Sequence, residues 1–118
     1  GYKIEMMDPE KFTDREKKKI QDCFDSKVKN MISSMVSHKG KSTYGVTLDF
    51  DSNFRTLKIQ TKYDADILSG VAPDKEMHEV AELILEKVKA IFNENGIGYK
   101  DACSEGAYGN PIILDFYF

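Results

Sequence analysis

The residues best suited to nucleophilic or metal chemistry in this chain are its two cysteines and two histidines. Cys23 and Cys103 lie far apart, and neither belongs to a CxxC pair. His38 and His78 are also widely separated, and no spacing among the four residues is typical of a zinc site. We therefore predict free thiols in a reducing compartment, no metal ion and no cofactor. Cys103 is expected to be the more exposed thiol, because Cys23 lies on an apolar helical stripe.

Three short segments resemble ligand-binding motifs but lack positions that those motifs need. Residues 49–53 match the first ligands of an EF-hand calcium loop, yet Phe54 replaces its glycine and Gln60 its closing glutamate. Residues 64–66 form a bare DxD, and residues 40–43 (GKST) lack the earlier glycine of a P-loop. We predict that these acids are solvated or form turns, and that the chain has no catalytic residues. An enzyme that uses Cys103 or these acids is the least favoured alternative.

Charge is divided unevenly along the chain, whose net charge is −3. From Lys11 to Lys41 there are nine basic and four acidic residues, whereas the remainder holds eight basic and sixteen acidic residues. A basic section of this kind is usually a solvated helix face, but it is also a pattern of nucleic-acid binding. The basic patch that would carry such binding consists of Arg15, Lys18, Lys19, Lys39 and Lys41.

The clearest periodic segment covers residues 73–96 and predicts a long α-helix. Apolar residues recur there at spacings of three and four, which places them on one helical face. Pro73 suits the first turn, and Gly96 suits the left-handed position after the last one. The opposite face carries a row of acids that packing does not explain. These outer residues are Glu76, Glu79, Glu82 and Glu86.

A first helix and a β-hairpin are predicted before this segment. Thr13 and Glu16 form a capping box that starts the helix, and Gly40 is expected to end it. Residues 44–63 alternate between apolar and polar as a hairpin does, with a four-residue loop at 51–54. In the expected register Leu48 lies opposite Leu57.

The strand at residues 112–118 is apolar on both faces except at Asp115, which favours a central position in a sheet. If its buried residues face the helices, then Ile113, Asp115 and Tyr117 face the other way. With two further strands at 2–6 and 97–103, the predicted element order is β-α-β-β-α-β-β. This order predicts an α+β fold over residues 1–118, with two long helices packed on one face of a four- to five-stranded antiparallel sheet. A ferredoxin-like or related two-layer sandwich has this form.

The composition, 41% hydrophobic and 31% charged, is typical of a soluble globular protein. No apolar run approaches the ~18 residues of a membrane span, and no basic-then-apolar leader opens the chain. We expect a cytoplasmic, non-enzymatic protein that docks on a protein partner, with a basic partner as one alternative, and that can form homo-oligomers. The partner-binding residues would be Ile113, Asp115, Tyr117, Glu79, Glu82 and Glu86.

At fold level, the order of helix, hairpin, helix and C-terminal hairpin is similar to that of bacteriophage tail-assembly proteins. It is equally similar to that of small bacterial inhibitors and immunity proteins. No motif accompanies either similarity, so it implies an assembly factor, inhibitor or immunity-type protein only by analogy of topology. Nucleic-acid binding through the basic helix is a further alternative.

Overall fold

The structure is a computed structural model, and it describes residues 11–42, 45–51, 53–68 and 70–118. It has a mixed α+β architecture with two antiparallel sheets, one of three strands and one of four. The strand predicted at residues 2–6 lies outside the described residues. None of the helices in the described part of the chain is long and apolar enough to cross a bilayer.

The N-terminal helix runs as α1 (Asp14–Cys23), a π-helical segment (Phe24–Val28) and α2 (Lys29–Ser33). Its predicted capping box is confirmed. The Glu16 N–H donates to Thr13 Oγ1 at 3.1 Å, and the Thr13 N–H donates to Glu16 Oε1 at 2.9 Å. Two of the orphan donors at the helix start are therefore satisfied by the local sequence.

The π segment follows from the spacing of the buried residues. Ile20, Phe24, Val28 and Ile32 are all buried and recur every four residues, which is longer than the 3.6 residues of an α-helical turn. The wider turn, in which the Lys29 N–H donates to Phe24 O, keeps this stripe facing the core.

The first helix ends earlier than predicted. Ser34 closes it by donating its hydroxyl to Met31 O at 2.6 Å, and the chain then forms β1 (Val36–His38) and β2 (Lys41–Ser42). Between them Lys39 and Gly40 have φ values of 52° and 79°, as a two-residue hairpin turn requires. The expectation that Gly40 ends a helix was therefore wrong, because its positive φ serves a β-turn.

A short strand, β5 (Asp66–Ile67), completes the small sheet in the order β2-β1-β5. This segment was predicted to be only a connection. The larger sheet contains β3 (Thr47–Phe50), β4 (Thr56–Gln60), β6 (Asp101–Glu105) and β7 (Ile113–Tyr117).

The four strands of the larger sheet are ordered β3-β4-β7-β6, and every neighbouring pair is antiparallel. The predicted central position of the last strand is confirmed, since β7 pairs on both edges. Because β4 and β6 both oppose β7, they run parallel to each other. The prediction of one sheet below two long uninterrupted helices was too simple. The mixed α+β class with antiparallel strands is what the structure supports.

The β3–β4 hairpin has a register that differs from the expected one by two residues. Leu48 lies opposite Ile59, and Phe50 lies opposite Leu57. The loop shifts by one position because Asp51 pairs with Thr56 through an N–H···O bond of 3.0 Å. Asp51 Oδ1 also accepts bonds from the N–H groups of Asn53 and Phe54, an Asx turn that fixes the loop. The even shift leaves every side chain on its expected face.

The second long helix, α3, spans Met77–Glu94 and so begins four residues after Pro73. Its C-terminus matches the prediction. Gly96 has a φ of 70°, its N–H donates to Asn93 O, and the Ile97 N–H donates to Phe92 O at 2.8 Å. This is a Schellman motif, which satisfies the last carbonyls of the helix.

The core lies between the helices and the larger sheet. Leu114 and Phe116 of β7 are fully buried, and the Phe116 ring lies 4.9 Å from that of Phe92 on α3. The π segment packs against the same helix. Burying side chains of this size contributes about 1.5–3 kcal/mol each. The described helices therefore pack on the face of the larger sheet that carries Leu114 and Phe116.

A second contact ties the first helix to the β3–β4 loop, and we call it the Arg55 clip. Arg55 Nη1 and Nη2 donate to the two oxygens of Glu16 at 2.9 and 2.7 Å. The guanidinium also lies 5.3 Å from the centre of the Phe12 ring, which packs edge-on against Phe50 and Phe118. A bidentate pair of this geometry holds both position and orientation.

The tight packing of Gly106 gives the first test of this fold. A Cβ at Gly106 would lie 2.7 Å from Met77 O and 2.8 Å from Ala81 Cβ, whereas one at Gly98 would meet nothing within 4 Å. We expect Gly106→Ala to lower the free energy of unfolding by about 1–3 kcal/mol, and Gly98→Ala to change it far less. Chemical denaturation of both variants measures this, and equal effects would contradict the packing described.

The Arg55 clip predicts a pH dependence of stability. Hydrogen bonds from Arg55 and then from Thr13 lower the Glu16 pKa from 4.5 to about 2. Since the folded pKa is the lower one, the contribution of the carboxylate is complete above the unfolded pKa and is lost as the pH falls from about 4.5 towards 2. Because the carboxylate is about a third exposed, we expect roughly 1 kcal/mol.

Glu16→Gln should remove this contribution. Its destabilisation relative to the natural chain should be largest near neutral pH and should shrink steadily towards pH 2, as measured by urea denaturation. Glu82→Gln serves as the control on an exposed helical position. A Glu16→Gln effect that does not vary with pH would show that the carboxylate charge is not involved.

Candidate functional site

The alternation of β7 decides which side chains are available for binding. Leu114 and Phe116 point into the core, so Ile113, Asp115 and Tyr117 lie on the opposite face of the larger sheet. We call this the outer face. Tyr117 is 41% exposed there, and Ile113 and Asp115 are partly buried.

Strand register aligns the outer-face residues in rows across the sheet. One row places Asp115 between Lys58 on β4 and Cys103 on β6, with Asp49 beyond Lys58. The rows on either side follow the same register. One of these rows contains Thr56, Tyr117 and Asp101. The other contains Thr47, Gln60, Ile113 and Glu105.

The outer face is strongly acidic. Four carboxylates lie on the strands and a fifth lies at the hairpin end, against a single ammonium group on the described strands themselves. A second lysine, Lys62, lies two residues beyond the end of β4, next to Gly45. An open groove of about 410 Å³ crosses the β3, β4 and β7 side of this face. The acids are Asp49, Asp51, Asp101, Glu105 and Asp115, and the cation is Lys58.

These carboxylates do not form a metal site. Within the described ranges, no group of three or more His, Cys, Asp or Glu side chains has a geometry that holds a metal ion. Their spacing across strands instead spreads negative charge over the surface. Such a surface suits a partner with several separated cations.

Two titratable groups are neighbours on this face. A hydrogen bond with the Cys103 thiol, followed by the charges of Cys103 and Asp115, raises the Tyr117 pKa above its usual value of 10. Tyr117 therefore stays a neutral hydroxyl, which can donate or accept a hydrogen bond. Cys103 is an exposed free thiol, as predicted, whereas Cys23 is buried and burial raises its pKa.

The predicted helical acids lie on the other side of the molecule. Glu82 and Glu86 are exposed on α3, which packs against the opposite face of the sheet. Glu86 accepts a bond from Lys89 at 3.0 Å. Glu79 accepts one from the Glu76 N–H at 2.9 Å, and this bond is the main cause of its lowered pKa. The six predicted partner-binding residues thus form two groups, one on the outer face of the sheet and one on α3. The core between the sheet and α3 separates the two groups.

The predicted basic patch is also divided. Lys19 Nζ donates to Gly96 O at 2.9 Å, and Lys27 Nζ of the same basic section donates to Asn95 Oδ1 at 2.8 Å. Both cations therefore sit at the C-terminus of α3, where the helix dipole favours positive charge. Lys18 pairs with Asp22 at 2.9 Å. Arg15 is exposed on α1.

The other two predicted cations, Lys39 and Lys41, are exposed on the β1–β2 hairpin. His38 on the same hairpin lies 3.0 Å from Asp64 O through Nδ1, and its ring centre is 5.0 Å from that of Tyr63. Tyr63 is 44% exposed. This aromatic pair was missed in the sequence, because the two residues are 25 positions apart and only β5 pairing brings them together.

Four acids of the outer face were also missed as a group. Asp49 and Asp51 were interpreted as turn or solvated residues, or as acids of the least favoured enzyme alternative, and Asp101 and Glu105 were not singled out. The alternation of each strand was visible in the sequence, but which strands become neighbours was not. The β4–β7–β6 order is what unites them.

No protein-family model, curated protein or solved structure matches the chain.

The hydrogen bond from Lys19 to Gly96 at the C-terminus of α3 predicts that this lysine contributes to the stability of the fold. Lys19→Met keeps the apolar stem but removes the charge at the C-terminus of α3. We expect it to lower the free energy of unfolding by about 0.3–1 kcal/mol, whereas Lys17→Met, on an exposed position of the same helix, should have a smaller effect. The difference should shrink in high salt. If thermal denaturation finds the two variants equal, Lys19 has no capping role.

Proposed function

We propose that this protein is a non-enzymatic protein-binding module that docks a basic segment of a partner on the outer face of its larger sheet. An inhibitor, an immunity-type protein or an assembly factor, including one of a bacteriophage tail or virion, acts by such docking. The single observation that carries the proposal is the gathering of five carboxylates around one lysine on an open sheet face.

Electrostatics favours a cationic partner of extended shape. The acids are distributed over the β3, β7 and β6 segments in three rows, and neighbouring strands are about 5 Å apart, so an extended chain that crosses the sheet obliquely meets several of them. Complementary charge of this kind raises the association rate and selects among partners. Exposed pairs contribute only about 0–1 kcal/mol each, so specificity also needs apolar contacts.

Ile113 and Tyr117 supply such contacts within the acidic surface. Tyr117 offers an amphipathic ring with a neutral hydroxyl, and the half-buried Ile113 side chain lies four residues away on the same strand and face. Tyrosine is enriched at protein interfaces, and an apolar centre with a polar rim is their usual anatomy. A homo-oligomer that joined two outer faces would bring like charges together, so we expect any self-association to use another surface.

Nucleic-acid binding is the second candidate, and it would use the small sheet rather than the whole basic helix. Lys39 and Lys41 lie on the same short hairpin as His38, whose ring packs on the exposed Tyr63. An aromatic platform beside lysines is suited to a stacked base and its phosphate. Lys19 is not assigned to nucleic-acid binding, because its ammonium group donates to Gly96 O at the C-terminus of α3.

We also propose a reducing compartment, with the cytoplasm as the simplest one, because Cys103 is an exposed thiol that forms no disulfide. For the larger sheet we propose a relation to ferredoxin-like folds. The strand between the parallel β4 and β6 is the C-terminal β7, where a split βαβ unit would place its inserted strand.

Titration of the ¹⁵N-labelled protein with octalysine tests the proposed surface. We expect saturable amide shifts on β4, β6 and β7, and a loss of affinity of about two- to thirtyfold in Asp49→Asn/Asp115→Asn, because two of the five carboxylates are neutralised and each exposed pair contributes up to about 1 kcal/mol. Binding should weaken as salt increases. The measurement is the dissociation constant from the NMR shifts.

Glu82→Gln/Glu86→Gln is the matched control, since it removes two charges from the exposed side of α3. Shifts that follow α3, or equal losses in the two double variants, would refute the outer face as the binding surface. A single-stranded oligonucleotide titrated in parallel tests the second candidate, which requires shifts around Lys39, Lys41 and Tyr63.

A further inference from the structure

A second cavity adjoins the outer face at the N-terminus of α3. It has a volume of about 600 Å³ and opens between that helix and the loop from β6 to β7. Glu105 and Ile113, which pair across the two strands, belong both to the cavity and to the outer face. The other walls include Pro111, Asn110 and His78. We call this cavity the anchor pocket.

The walls of the anchor pocket are held in place by the fold. Gly106 lies so close to Met77 and Ala81 of α3 that a Cβ would clash with both. On the opposite side the Ile112 N–H donates to Thr61 Oγ1 at 3.0 Å, and the Thr61 N–H donates to Ile112 O at 3.1 Å. The pocket is therefore largely formed before any partner binds, which reduces the entropic cost of binding.

The chemistry of the pocket combines an apolar wall with a carboxylate. Ile113 and Pro111 provide apolar surface, whereas Glu105, Asn110 and Ser104 provide oxygen acceptors. Glu105 is exposed and has no ion pair within 4.0 Å in the part of the chain that the structure describes. A side chain with a long apolar stem and a cationic head matches both features.

Arginine matches the pocket better than lysine does. Its planar guanidinium donates two parallel hydrogen bonds to a carboxylate and also stacks on aromatic faces. Glu105 supplies the carboxylate, and the imidazole of His78 supplies a ring on the α3 wall. A purely apolar side chain would leave the acceptors of the pocket without donors.

We propose that the anchor pocket receives an arginine side chain of the basic segment that docks on the outer face. The inference rests on the proposed function, because the arginine is taken to belong to that same segment. It adds a residue-specific anchor to a surface whose other contacts are general charge attraction. The acidic rows then hold the flanking cations of the segment.

Three short lysine-containing peptides that differ only at one central residue test this anchor. The residue is arginine, its neutral isostere citrulline, or norleucine, and each peptide is titrated into the ¹⁵N-labelled full chain. We expect the arginine peptide to bind about tenfold more tightly than the other two, since charge-assisted hydrogen bonds to a carboxylate are among the stronger ones. It should also shift the amides of Glu105, Ile113 and Asn110.

Glu105→Gln should remove the preference for arginine over citrulline and keep the binding of the lysines. Glu82→Gln is the control and should keep the preference. If all three peptides shift the outer face but bind equally, the anchor is refuted while the proposed function stands. If the norleucine peptide binds as tightly as the arginine peptide and shifts the pocket amides, the pocket selects an apolar side chain, and the arginine anchor is again refuted. If no peptide binds, both proposals fail.

Discussion

The structure depends on one constraint, the two-residue alternation of β7. This strand is bonded on both edges, so its backbone is fixed by β4 and β6. Burial of Leu114 and Phe116 against the helices then commits the residues between them to the outer face, because successive side chains of a strand point to opposite faces. The same alternation that stabilises the core thus creates the surface we assign to binding. A one-residue slip would exchange the two sets and lose both.

Electrostatics has a structural as well as a functional part in this molecule. The basic section of the chain looked in sequence like one continuous patch, but several of its charges act within the fold. Lys19 and Lys27 complete the end of α3, which has no basic residue in its own last turn. On the acidic side, Glu16 belongs to the Arg55 clip and Glu79 bonds the start of α3. The outer-face acids, by contrast, belong to none of the ion pairs among the described residues.

The sequence predicts well those features that depend on local chemistry. The capping box at Thr13, the glycine that ends α3 and the alternation of β7 each rest on interactions between residues close in the chain, and all three are confirmed. Gly40 was misjudged because a positive φ serves a helix end and a tight turn equally well, and only the pairing of β1 with β2 and β5 decides between them.

The site was predictable only in part, for a similar reason. Ile113, Asp115 and Tyr117 were assigned to one face from the alternation of a single strand. Their acidic neighbours come from β3, β4 and β6, and strand order depends on long-range packing that a single sequence does not contain. Because this long-range packing was not known from the sequence, Glu82 and Glu86 were grouped with β7, although the sheet separates them from its outer face.

The natural thiol of Cys103 allows the most direct measurement of the central claim, that basic segments dock on the outer face. Cys103 is exposed and Cys23 is buried, so a nitroxide reagent will label the former. Signals of bound octalysine should broaden strongly with this label. They should broaden much less when the nitroxide is attached to Glu82→Cys in a Cys103→Ser background. Equal broadening from both positions, or stronger broadening from the helical one, would contradict the account.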